Sequence, residues 1–128
     1  MRIGELATAC DCAVETIRYY EKVGLLPRAA RLANGYRAYG ETHEKWLHFI
    51  LRSKKLGFSQ DEVRRLTDLA HRERPACADV HELLEEHVSD VRKRIEELQR
   101  LQRALLRLKA QCQDGTLHDC PVIDELMR

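Results

Sequence analysis

Apolar positions near the start of the chain recur at helical spacing: Ile3, Leu6 and Ala7, then, after a polar break at Cys10-Asp11-Cys12, Val14, Ile17, Tyr20 and Leu25. This predicts two short helices separated by a tight turn, the second over residues 13–23 and closed by Pro27. Asn34-Gly35 sits between segments containing Arg31 and Tyr36-Arg37-Ala38-Tyr39 and predicts a hairpin, since both turn residues tolerate positive φ. Glu41 to Leu56 reads as a helix with Trp46, Phe49 and Ile50 inward, stopped by Gly57. Ser59 and Glu62 have capping-box spacing for a further helix carrying Val63, Leu66 and Leu69. The order is thus helix-turn-helix, hairpin wing, two helices, with a boundary near Arg74-Pro75.

Beyond Pro75 the pattern changes to heptads. Asp79 is the expected N-cap of a long helix, with Glu82 at the matching third position, and the helix runs to about Cys112 before Asp114-Gly115 stops it. One row is Leu84, Val91, Leu98, Leu105 and Cys112; the other is Val80, His87, Arg94, Leu101 and Leu108, with Val88 and Ile95 flanking the polar interruptions. A single helix cannot bury such a seam against itself, so a partner helix must cover it, most economically from a second copy of the chain. Gln113 to Asp119 reads as a loop. Pro121 suits the first position of a last short helix, docked by Val122, Ile123 and Leu126.

At 128 residues there is room for a small domain plus an extended helix, and not for two large domains. The net charge of +1 hides an asymmetry. Met1 to Gly57 holds ten Lys/Arg against six Asp/Glu, and Pro75 to Arg128 holds eight against eleven, which suits a nucleic-acid-binding head followed by a mildly acidic partner-binding half. No apolar run approaches the roughly 18 residues a membrane span needs, and no signal peptide is apparent, so the expected compartment is the cytoplasm, without a membrane partner. Five cysteines in a reducing compartment point to metal binding or redox sensing instead of a disulfide framework.

In a helix-turn-helix the second helix enters the major groove, where it would present Glu15, Thr16, Arg18 and Tyr19. Arg18 can pair with guanine or bind phosphate, and Arg28, Arg31, Tyr36 and Arg37 of the wing can grip the DNA backbone. Tyr20 completes the expected DNA-contacting set. Ile3-Gly4-Glu5-Leu6-Ala7, Glu15-Thr16-Ile17-Arg18-Tyr19-Tyr20-Glu21, Gly24-Leu25-Leu26 and Asn34-Gly35-Tyr36-Arg37-Ala38-Tyr39 resemble the DNA-binding head of MerR-family activators. The resemblance extends over essentially the whole chain, with a departure at Leu32-Ala33 in the wing. It implies a mostly α fold: a winged helix-turn-helix (1–74), a dimerisation helix forming an antiparallel coiled coil (75–112), and a metal-binding loop with a short terminal helix (113–128). It also implies a homodimer on double-stranded promoter DNA that distorts the promoter on effector binding so that RNA polymerase can engage it.

The thiols carry an argument of their own. Cys77 and Cys112 are 35 positions apart, which at about 1.5 Å per helical residue separates them by roughly 50 Å. They cannot share an ion within one chain. In an antiparallel pair, each chain's Cys77 lies beside its partner's Cys112 and Cys120, giving two three-thiol sites. Helix dipoles at Cys77 and Cys120 favour thiolates, which select soft or borderline ions. Among relatives, sensors of monovalent copper carry serine in place of Cys77, so its retention implies a divalent ion. The resemblance around Glu86-His87 favours cadmium or lead, with zinc next and mercury third. His118 is a further candidate ligand; His81 and His87 are weaker candidates for a secondary site. Cys10 and Cys12 read as packing residues, and His43, His48 and His71 as surface residues.

Two other functions fit parts of the sequence. A cytosolic metal-sequestering protein would need the cysteines and no arginine-rich head. A DNA-binding regulator with an organic effector would need a ligand domain, whereas sixteen residues follow Cys112. No catalytic constellation stands out for an enzyme.

Overall fold

The computed structural model describes residues 1–72, 74, 77–112 and 120–128. Its elements are α1 (Ile3–Cys10), α2 (Val14–Lys22), β1 (Ala30–Arg31), β2 (Arg37–Ala38), α3 (Glu41–Lys55), α4 (Gln60–Ala70), α5 (Cys77–Gln111) and α6 (Pro121–Leu126). The chain forms two compact units, Met1–Leu83 and Leu84–Arg128.

In the first unit, α1 packs on α2 and α3, and α3 packs on α4. Leu6, Ile17, Leu47, Ile50 and Val63 are fully buried in one core. On α3 the buried row is Leu47 and Ile50, while Trp46 and Phe49 are only half-buried and pack edge-on at 5.4 Å between ring centroids. Trp46 also takes the His71 ring at 4.2 Å. The unit extends past the boundary expected near residue 74, because Leu83 on α5 is buried in this core and Val80 packs against it.

Three helices end in the same way. In α1 the Cys12 N–H reaches the Ala7 carbonyl and the Asp11 N–H that of Thr8; Leu25 and Gly24 do the same to Tyr20 and Glu21 in α2, and Phe58 and Gly57 to Ser53 and Lys54 in α3. This pattern needs a left-handed residue just past the helix. Gly24 and Gly57 supply it with φ of 80° and 85°, and Asp11 supplies it at 54°. Gly24, and not Pro27, therefore closes α2. The Ser59 cap of α4 forms as expected, Ser59 Oγ accepting from the Glu62 N–H while Glu62 Oε1 accepts from Ser59.

The hairpin pairs Ala30 with Ala38 and Arg31 with Arg37. Its turn differs from the one expected: Gly35 alone of the pair has positive φ, at 85°. The Gly35 N–H closes a turn on the Leu32 carbonyl, the Leu32 N–H takes Tyr36 O, and Asn34 Oδ1 accepts from the Tyr36 N–H. That makes a three-residue loop ending in left-handed glycine, where Asn34 acts through its side chain.

Helix α5 begins at Cys77, so Asp79 lies inside its first turn and is not its N-cap. Asp79 instead meets Arg72 at 3.2 Å. In the second unit Val91, Ile95, Leu98, Leu101, Leu105 and Leu106 are exposed, as are Ile123 and Leu126 of α6. His87 is buried and His81 exposed. The stretch containing Asp114-Gly115, and Pro75 ahead of α5, lie outside the described residues.

Candidate nucleic-acid interface and thiol pair

The outward face of α2 meets the wing across a groove of about 1150 Å³, lined among others by Arg2, Arg18, Lys22, Arg28, Tyr36 and Arg37. Arg18, Tyr19, Arg28, Arg31 and Tyr36 are exposed and Thr16 is half-buried. Tyr20 falls in the core row by spacing and was also expected among the DNA contacts; the structure buries it at 7% exposure, on the side of α2 away from Arg18. Arg37 is half-buried and donates to the Ala29 carbonyl at 2.7 Å, so part of its guanidinium braces the wing.

Two contacts fasten this groove. The Tyr39 hydroxyl donates to Glu21 Oε1 at 2.5 Å, joining the strand end to α2. Burial, reinforced by that carboxylate, pushes the Tyr39 phenol up to about 12. The Arg2 guanidinium lies 4.4 Å over the Tyr36 ring, tying the wing to the start of α1. Arg2 and Lys22 were not among the residues singled out from the sequence. For Lys22 the signal was present, four positions after Arg18 on the same helix face. For Arg2 it was not, because its partner is 34 residues away.

Cys10 is buried, with its Sγ 3.8 Å from His48 Nε2. Burial raises both the Cys10 and Cys12 thiols, as expected of packed neutral groups. His43 is more than a surface residue: its Nδ1 accepts from the Gly40 N–H at the start of α3, and its ring sits 5.3 Å from Tyr39.

The second unit brings Cys112 and Cys120 together. Cys112 is exposed just past the end of α5, and Cys120 is the N-cap of α6. The Cys112 thiol is raised because it donates to Cys120. Cys120 is lowered first by the backbone N–H groups of Ile123 and Val122, which face it without closing a full capping bond, and also by Cys112. A thiol at a helix N-terminus gains thiolate character in this way. Cys77 is exposed at the first position of α5. Among the described residues of one chain, no three His, Cys, Asp or Glu groups converge on a point that could hold an ion. His118 lies outside the described residues.

With the helix-turn-helix, the wing and the long helix in place, comparison with known proteins gives a consistent answer. Residues 1–69 match the MerR HTH family regulatory proteins, and residues 45–108 match the MerR, DNA binding family. This chain belongs to the MerR family of transcription regulators. It is 39% identical to the mercuric resistance operon regulatory protein of Bacillus cereus over 128 residues, covering 99% of this chain and 97% of that protein. Its fold is similar to that of the transcription regulator PbrR691 from Ralstonia metallidurans CH34 in complex with lead(II), with a TM-score of 0.83 and 39% identity over 98% of both chains. It is also similar to the MerR regulator of Bacillus megaterium MB1 in complex with mercury(II), with a TM-score of 0.75 and 36% identity over 100% of both chains. As a MerR-family member the chain is a DNA-binding regulator and not an enzyme. No helix among the described residues is long and apolar enough to cross a membrane.

Proposed function

We propose that this regulator acts as a cytoplasmic homodimer on promoter DNA and responds to a divalent thiophilic ion held by Cys112 and Cys120 of one chain with the partner subunit's Cys77. The observation that carries this reading is the placement of Cys112 just past the end of α5 and of Cys120 at the N-cap of α6, where the backbone N–H groups favour ionised Cys120 and each thiol acts on the other. Cys77 stands at the opposite end of a 35-residue helix, about 50 Å long at the usual rise. One chain therefore supplies two of the thiols, and a second chain, antiparallel, supplies the third. The exposed leucines of α5 give that second chain a surface to cover.

Three thiolates offer a soft ion its preferred donors. Cadmium or lead is the favoured effector, followed by zinc and mercury; the complexes of the two structural relatives with lead and mercury support the class. On the DNA side, Arg18, with Thr16 beside it, meets the major groove, with Tyr19 presenting its ring there while its hydroxyl is held by Gln60 of α4, and Arg31, Tyr36 and Arg37 hold the flanking backbone. Tyr20 anchors α2 in the core instead of touching DNA. The target genes are those of metal resistance or efflux, and RNA polymerase is the partner at the promoter.

The test is transcription from the regulated promoter against a panel of metal salts, footprinted with and without each. The expected result is activation by cadmium or lead with the footprint retained. Activation accompanied by complete release of DNA would make the protein a derepressor, and no response to any soft ion would remove the metal.

A further inference from the structure

Helix α2 ends with carbonyls that its own ladder cannot satisfy. Tyr20 O takes the N–H groups of Leu25 and Leu26, and Glu21 O takes that of Gly24. The Val23 carbonyl is satisfied from elsewhere: Arg64 Nη2, on α4, donates to it at 2.9 Å across 41 residues of sequence. A second bond joins the same two helices, the Tyr19 hydroxyl donating to Gln60 Oε1 at 2.8 Å. Gln60 and Arg64 are four residues apart on α4, and Val23, the C-cap of α2, follows Tyr19 by four. One face of α4 thus grips one face of α2 at two successive turns. The guanidinium also places positive charge at the negative end of the α2 dipole.

We infer that Arg64, with Gln60 beside it, is a positioning residue for DNA recognition, setting where along the groove α2 presents Arg18. The inference rests on the proposed reading of α2 as the recognition helix. Its signature is in discrimination more than in affinity. Phosphate contacts tolerate a small displacement of α2, whereas paired hydrogen bonds to a base edge do not.

The experiment measures affinity of the full-length protein for a duplex carrying the footprinted operator and for a scrambled duplex of equal length, using the wild type, Arg64→Met, Arg64→Lys and Arg18→Ala. Arg64→Met should lower the operator-to-scrambled ratio roughly tenfold, the scale of a lost charged hydrogen bond. Scrambled-duplex affinity should be unchanged, and Arg64→Lys, which keeps a charged donor, should restore most of the ratio. An equal fall on both duplexes, or an unchanged ratio, overturns the inference. Should Arg64→Met fail to fold, Arg64→Gln carries the same comparison with an uncharged donor. Arg18→Ala separates the two levels. If it leaves operator binding intact, α2 is not the reading helix; if it weakens binding while Arg64→Met keeps full discrimination, only the positioning role fails.

Discussion

In Met1–Leu83, the side chains of Leu6, Ile17, Leu47, Ile50 and Val63 are wholly removed from solvent, whereas in Leu84–Arg128 Leu98 and Leu105 each stand 63% exposed and Leu101 58%. Both regions are helical, and the second is the richer in leucine. The first folds several short elements around a shared core. The second is dominated by one long helix, which cannot close on itself, so its exposed apolar rows suit an interface. The first region can therefore be stable in a single chain, while the proposed shared thiol site would have the second region completed by another copy.

The largest effect expected from this contrast comes from Leu98→Asp combined with Leu105→Asp. Charges in the seam should abolish dimerisation in sedimentation and weaken operator binding by roughly 10²–10⁴-fold, because the two heads then bind half-sites independently. A variant that stays dimeric would show that another surface holds the chains together. Leu47→Ala attacks the other region. It should cost about 2–5 kcal/mol in urea unfolding, the range for a leucine emptied from a closed core. A cost under 1 kcal/mol would mean that the core is looser than its burial implies.

The same contrast explains what the sequence disclosed. Ser59 with Glu62 is a local cap, so its spacing announced α4 correctly, and the heptad rows announced the long helix α5, although Val80 of one row packs on the core of the first unit. Asn34-Gly35 announced a hairpin but not its turn, since the choice between two left-handed residues and one depends on the strand hydrogen bonds around it. Pro27 looked like the end of α2 because proline is a strong breaker, yet Gly24 ends it three residues earlier. Tyr20 was legible twice, as a core position and as a DNA contact, and only packing could decide. The contacts that fasten the reading face, Arg64 to Val23 and Tyr39 to Glu21, join residues 41 and 18 positions apart. No local pattern encodes either. Cys112 and Cys120 were legible as a pair because both flank one short segment.

A smaller effect, in pH, probes the closure of the head. Tyr39 is raised from the usual 10 to about 12, so the fold favours its protonated phenol. That contribution is complete below pH 10 and is lost as pH rises from 10 through 12. Thermal melts of the wild type should fall across that window, and Tyr39→Phe should fall less steeply. Identical slopes would remove Tyr39 from the account. The smallest change expected is a gain. Asp11 occupies a left-handed conformation at φ 54°, and Asp11→Gly should stabilise the head by about 0.5–1 kcal/mol by relieving it. A loss of stability would mean that the Asp11 carboxylate contributes more than its backbone costs.

The central claim, that sensing is shared between chains, is tested most directly by metal stoichiometry on a mixed dimer. One subunit carries Cys77→Ser and the other carries Cys112→Ser with Cys120→Ser. Each variant alone, as a homodimer, should lose tight binding of cadmium or lead, because every site lacks at least one thiolate. The purified heterodimer contains one site with all three cysteines and one with none, and should recover one tightly bound ion per dimer. A heterodimer that recovers no tight site, or a Cys77→Ser homodimer that still binds two, would contradict the shared site.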